Sequence, residues 1–274
     1  MAVNSVNTNS GALVALQNLN ATNRELETTQ SRINTGKKIN NAKDNGAIWA
    51  IAQGQRGEIQ ALGAVKDSLA RGSSAIDVSL AAGESVSDLL LQLKEKALAA
   101  KDTSLSTSSR TALSDDFNSI KAQITTAVSN AKFNGVNLLD GSATNGFKAL
   151  ANAGGTSTID VASQTMTLAS LSISASVLTD ATTAGTALTA VDAAIASVSS
   201  KLAKLGTGAK SFDTHATFVS KLSDALETGV GNLVDADLAK ESARLQSLQT
   251  KQQLGVQALS IANQSSSVLL SLFR

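Results

Sequence analysis

Cysteine is absent from all 274 residues, which removes disulfides, thiolate metal sites and thiol nucleophiles together. Proline is absent too, although a chain of this length ordinarily carries roughly 5%. No position therefore forbids a long uninterrupted helix. Aromatic residues are scarce, at 3%. Large compact cores lean on aromatic bulk, so thin seams between helices are expected in place of one thick core. Neither charge sign prevails: 23 Lys and Arg stand against 22 Asp and Glu, a formal net charge of +1. Nucleic acid is not an expected partner, since a binder would concentrate a basic face. Mean hydropathy is +0.05, and no run approaches the roughly 18 apolar residues of a membrane span, so membrane insertion is not expected. The first residues, MAVNSVNTNSGALVALQNLN, lack the basic and unbroken apolar regions of a cleaved secretory signal. With one His, no Cys, no Tyr and no convergent carboxylate motif, no credible catalytic constellation stands out, and neither a cofactor nor a metal is expected.

What is present is helical periodicity. From about Val6 to Ile33, apolar residues recur at Leu13, Leu16, Leu19, Leu26 and Ile33 among Asn, Thr and Gln. These are mediocre helix formers, so this segment alone is marginal in water. A polar, basic stretch follows from Asn34 to Lys43. A second helix is expected from Asp44, read as its N-cap, through Ala97. A Ser/Thr-rich turn and new cap at Thr103–Ser109 lead to a third helix ending at Asn134-Gly135. Between Gly141 and Gly185 the composition turns to Ser, Thr, Gly and Ala, with period-two alternation at Thr158–Val161 and Leu171–Val177. A small β-hairpin is the reading there.

The strongest pattern begins at Leu188. One core series runs Leu188, Ile195, Leu202, Ala209, Ala216, Ser223 and Val230. The series three residues on runs Val191, Val198, Leu205, Phe212, Val219, Leu226 and Leu233. Such a heptad seam, about 70 Å long, predicts coiled-coil packing. It breaks at Asp235-Ala236-Asp237 and resumes one residue late with Leu238, Leu245, Leu248, Leu259, Leu269 and Phe273. A one-residue slip turns the stripe by about 100°, so it must face a new partner. The expected fold is mainly α: a long antiparallel helical bundle or coiled coil with a small β-hairpin-like insert. Its expected divisions are a terminal-helix domain (1–43 and 235–274), a helical bundle (44–140 and 186–234) and the insert (141–185).

Three stretches carry a family resemblance. Ser31-Arg32-Ile33-Asn34-Thr35-Gly36-Lys37-Lys38-Ile39-Asn40-Asn41-Ala42-Lys43-Asp44 resembles the signature near the start of bacterial flagellins. Phe133-Asn134-Gly135-Val136-Asn137-Leu138-Leu139-Asp140-Gly141 resembles a turn of the same family, and the third stretch runs from Asp235-Ala236-Asp237-Leu238 through Ala262-Asn263-Gln264 to Phe273-Arg274. The resemblance covers roughly residues 1–141 and 188–274. It implies a subunit that polymerises with itself into the extracellular flagellar filament used for motility. It further implies export through the flagellar apparatus without a cleaved signal, an export chaperone, and neighbouring hook-junction and cap proteins. The alternative is a hook-filament junction protein or another secreted self-assembling helical protein. Leu13, Leu16, Leu19, Leu26, Ile33, Leu238, Leu245, Leu248, Leu259, Leu269 and Phe273 are the expected assembly residues. Arg32, Lys37, Lys38 and Lys43 are expected opposite Asp235, Asp237 and Glu241, within or between subunits.

Several tempting motifs dissolve on inspection. Gly206-Thr207-Gly208-Ala209-Lys210-Ser211 lacks the adjacent Gly-Lys and preceding strand of a phosphate loop. His215 reads as a bundle-edge residue, and Trp49 as helix packing. Asp115-Asp116 reads as first-turn acids favoured by the helix dipole.

Overall fold

The computed structural model describes residues 8–271 of the chain and the side chains of residues 8–264. In order, the elements are α1 (Ser10–Thr35), α2 (Gly46–Ala100), α3 (Thr107–Asn130), β1 (Phe147–Leu150), β2 (Thr158–Val161), α4 (Ala181–Val234) and α5 (Leu238–Ser271). The mainly helical fold with one small hairpin agrees with the periodicity. Two compact units result: one draws on Met1–Gly57 and Ala225–Arg274, the other is Glu58–Asp224.

In the second unit, α2 and α4 run antiparallel. Gly72 faces the Phe212 ring, Gly83 faces Leu202, and Lys94 pairs with Asp192 at 2.7 Å. Val191, Val198, Leu205, Phe212 and Val219 are all buried, as the heptad seam requires. By the end of α4 the buried positions have moved to Val230 and Val234, while Leu226 and Leu233 are half-buried. A straight helix drifts by about 20° per heptad, which accounts for the shift. One window of α4 is apolar enough by composition to span a membrane; the same alanine and valine content supplies its seam.

Ser106 caps α3 through the Ser109 N–H, and the buried Arg110 donates to the carbonyls of Ala100 and Asp102 at the end of α2. These two side chains define the turn expected at Thr103–Ser109. The third helix ends earlier than Asn134-Gly135. Helix α3 stops at Asn130, and Asn134 (φ 48°) with Gly135 (φ 82°) forms a two-residue turn closed by mutual bonds between Phe133 and Val136, each 2.9 Å. Positive φ at both positions is what a type I′ turn demands, and Asn-Gly suits it best. The fully buried Asn137 then satisfies the helix end, donating to Val128 O at 2.7 Å and accepting from Leu139 N at 2.8 Å.

The hairpin corrects the pairing expected within the insert. Strand β2 is the predicted Thr158–Val161, but its antiparallel partner is Phe147–Leu150, with Phe147 opposite Val161. Residues 171–177 form turns: Ser172 sits at φ 59°, and the N–H groups of Leu171 and Ile173 bond back to Thr167 and Leu168. Their alternation comes from Leu171 and Ile173 turning inward, both buried. Lysines anchor this segment. Lys121 donates to Ser174 O and Ser176 O (2.9 and 3.0 Å), and Lys201 donates to Thr165 O and the Ser170 hydroxyl. Partial burial lowers the pKa of both ammonium groups. Helix α4 starts at Ala181, before the first seam residue, because the Asp180 carboxylate accepts from Thr182 N and Thr183 N at 2.8 Å.

The cap of α2 is also one residue later than expected. Asn45 accepts from Ile48 N at 3.1 Å, whereas Asp44 closes the preceding loop by accepting from Asn40 N and Asn41 N. Those two N–H groups hold the Asp44 carboxyl below the ordinary carboxylate range. Gly206 and Gly208 are mid-helix; a Cβ at Gly208 would meet the Val161 methyls at 2.7 Å, so this glycine admits β2 rather than phosphate. His215 Nε2 lies 2.8 Å from Ala151 O, at the hairpin edge. Because α3 begins at Thr107, Asp115 and Asp116 lie beyond its first turn, and Asp116 instead pairs with Lys96 at 2.9 Å.

Candidate assembly interface

In the first unit α1 pairs with α5. Asn9 caps α1 by accepting from Ala12 N, and its amide also donates to Ala262 O at 2.7 Å. Gly36 ends α1 at φ 68°, the left-handed conformation that glycine adopts without cost. The seam between the helices is narrow. Leu19, Leu26 and Ile33 are half-buried on α1, as are Leu245 and Leu259 on α5, and only Leu248 is sealed, at 3% exposure. Leu19 rides over Gly255, where an added Cβ would lie 3.2 Å away.

Polar groups fix the antiparallel register along that seam. Asn23 accepts from Gln252 at 2.8 Å, Glu25 meets Arg244 at 3.2 Å, and Arg32 meets Glu241 at 3.1 Å. Thr29 and Glu241 are buried, and Arg32 Nε and Glu241 Oε2 lack hydrogen-bond partners among the described residues. Buried polar groups of this kind trade stability for register.

At the joint, two chain segments cross. Lys37 and Asp235 form an antiparallel backbone bridge, Val234 O accepts from Lys38 N at 2.7 Å, and Gly36 O accepts from Ala236 N at 2.9 Å. The break read at Asp235 is thus the link from α4 to α5, with Asp237 capping α5 through Ala239 N and Lys240 N. Of these seven charged residues, Arg32 and Glu241 pair with each other. Lys37, Lys38, Lys43, Asp235 and Asp237 form no ion pair among the described residues.

Other predicted residues point away from the seam. Leu13 is 59% exposed, and Leu16 and Leu238 are exposed as well. Val14, Leu254, Val256 and Ile261 (68%) join them, residues that the search for a single stripe passes over because they fall off its period. The Leu269 side chain and Phe273 lie outside the described residues. Among the described residues, nothing covers these exposed apolar side chains on either helix. Monomeric proteins seldom leave such surfaces uncovered.

The family model of the bacterial flagellin N-terminal helical region matches residues 6–144, and that of the bacterial flagellin C-terminal helical region matches residues 188–273. Flagellin FljM of Caulobacter vibrioides is 62% identical over 275 residues, covering 100% of both chains. Flagellin FljO of the same organism is 60% identical over the same span, and a flagellin of Brucella melitensis is 41% identical, covering 98% of this chain and 99% of its own. The crystal structure of Bacillus cereus flagellin superposes with a TM-score of 0.50 at 24% identity, covering 56% of this chain and 88% of that one. A structure described as a flagellar hook-associated protein from Vibrio parahaemolyticus gives 0.58 at 15% identity, covering 70% and 100%, a likeness of fold alone. On these matches, which take in both helical ends and the full length, the chain belongs to the bacterial flagellin family.

Proposed function

We infer that this chain, a structural subunit of the extracellular flagellar filament, polymerises with copies of itself through α1 and α5. The observation that carries this reading is the set of exposed apolar side chains on both helices, among them Leu13, Val14 and Leu16 on α1 and Leu254, Val256 and Ile261 on α5. Leu19, Leu26, Ile33, Leu245, Leu248 and Leu259 hold the pair together. Leu13, Leu16 and Leu238 face neighbouring subunits. Each Leu or Val buried on assembly contributes roughly 1.5–3 kcal/mol, enough in sum to offset the ordering of two marginal helices. Folding of the ends is coupled to binding. The unpaired Lys37, Lys38, Lys43, Asp235 and Asp237 meet opposite charges on adjacent subunits, at about 0–1 kcal/mol per exposed pair.

The division into a terminal-helix domain, a bundle and a small surface insert follows the same logic. The role is structural and not enzymatic. Export proceeds through the flagellar secretion channel without a cleaved signal, with a chaperone, and with hook-junction and cap proteins at the filament's ends. Removing about 30 residues from either end tests the reading. Filament growth from seeds should cease while circular dichroism still reports a folded bundle; truncated subunits that elongate filaments would refute it.

A further inference from the structure

One face of α1 carries more hydrogen-bond donors than its own chain satisfies. Arg24, Thr28 and Arg32 follow one another at intervals of four residues, with Thr29 beside them, so they share a side of the helix. Together with Arg244 of α5 they line a notch of about 280 Å³.

The groups left unmet at this notch can all donate. Thr29 lines it although only 1% of the residue is exposed, and its hydroxyl has no hydrogen-bond partner among the described residues. Arg32 gives one N–H to Glu241 at 3.1 Å, while its buried Nε has no partner among the described residues. Arg24 is exposed, and its guanidinium forms no ion pair or hydrogen bond among the described residues. Arg244 spends one of its five donors on Glu25, at 3.2 Å. Thr28 is already committed, donating to Arg24 O at 2.9 Å.

Charge points the same way. Three arginines line the notch against one carboxylate, that of Glu25. Glu241 holds Arg32 without lining the notch; counting it as well still leaves one positive charge in excess. The adjoining hollow at the joint sets Glu27 and Asp44 against Lys37 and Lys38, so it does not cancel that excess. Water could meet the donors but not the charge. A guanidinium fork matches oxyanion geometry, and a tetrahedral oxyanion presents four acceptor oxygens, enough to reach donors on both helices at once.

We propose that this notch binds a tetrahedral oxyanion, inorganic phosphate or sulfate, held by Arg24, Thr29 and Arg32 of α1 and by Arg244 of α5. The anion bridges the two terminal helices and favours their paired state by mass action. The site rests on the filament reading above, because α1 and α5 complete their pairing in the filament.

Filaments grown in chloride and titrated with inorganic phosphate in a calorimeter, at constant ionic strength, should bind one phosphate per subunit. Sulfate should compete, and chloride should not. Arg24→Gln should weaken binding about tenfold, as the loss of a charge-assisted hydrogen bond implies. Arg24→Lys keeps the charge without the fork and should fall between. Lys251→Gln removes another exposed cation of α5, one that does not line the notch, and should bind like wild type. Wild-type filaments that bind no phosphate would overturn the site, as they would if a carboxylate of a second copy filled the notch. Equal weakening by Lys251→Gln and Arg24→Gln would overturn it too, since that reports diffuse charge. If Arg24→Gln subunits do not elongate, Arg24→Lys decides: binding at wild-type affinity would contradict the proposed fork. Wild-type subunits that grow no filaments would overturn the filament reading, and the site with it.

Discussion

The Phe147 ring meets the Phe212 ring edge-on, with centroids 6.2 Å apart and planes at 65°, and Gly72 leaves the space that both rings occupy. This is where the hairpin is pinned to the bundle. A Cβ at Gly72 would lie 2.4 Å from one ring and 2.8 Å from the other. Gly72→Ala should therefore lose roughly 1–3 kcal/mol to overpacking, despite the better helix propensity of alanine. Gly206 has no such neighbour, and Gly206→Ala should gain about 1 kcal/mol. Thermal unfolding of the two variants should move in opposite directions; movement in the same direction would contradict the packing described.

Asn137 offers a second test. Its amide donates to Val128 O and its carbonyl accepts from Leu139 N and Asp140 N, all around a side chain with no exposure. Asn137→Ala strands buried backbone groups, at about 1–3 kcal/mol each. Asn137→Asp should be at least as damaging, because it sets a carboxylate oxygen against the Val128 carbonyl. Denaturant midpoints would check both, and an unchanged midpoint would count against the cap.

Much of this architecture is legible in the sequence, and the exceptions have physical reasons. The α4 seam and the break at Asp235 are visible because apolar spacing reports a buried helix face directly. The Asp44 and Asn45 pair defeats such reading: both residue types cap helices well, and only the backbone path assigns one to the loop and the other to the cap. Leu171 and Ile173 alternate like a strand although two inward turns bury them. Asn134-Gly135 serves a helix end and a tight turn equally well by composition. At the candidate interface, a search for one stripe finds Leu19, Leu26 and Leu248. It passes over Val14, Leu254 and Ile261, whose exposure appears only once the partner helix is in place.

The seam pair Arg32 and Glu241 should respond asymmetrically to substitution. Arg32→Met leaves the Glu241 carboxylate buried without its partner, which should cost more than replacing both residues. Seeded growth of Arg32→Met should fall below that of Arg32→Met/Glu241→Leu. If the double variant is the worse of the two, the pair contributes net stability that this reasoning denies.

The Asp44 loop should be acid-sensitive. Its carboxyl has a depressed folded-state pKa, so its stabilising effect is present above the unfolded value near 3.9 and is lost as pH falls through the folded value. The amide resonances of Asn40 and Asn41 should titrate with a midpoint below about 3.9. Asp44→Asn should abolish that titration. A midpoint above the unfolded value would reverse the sign argued here.

The central claim is that the terminal helices complete their burial only against other subunits. Hydrogen exchange of the α1 and α5 amides, compared between free subunits and filaments, measures this directly. Rapid exchange in the free subunit and strong protection in the filament are predicted, with the core of α2 and α4 between Leu69 and Phe212 protected in both. Equal protection of α1 and α5 in the two states would contradict the account.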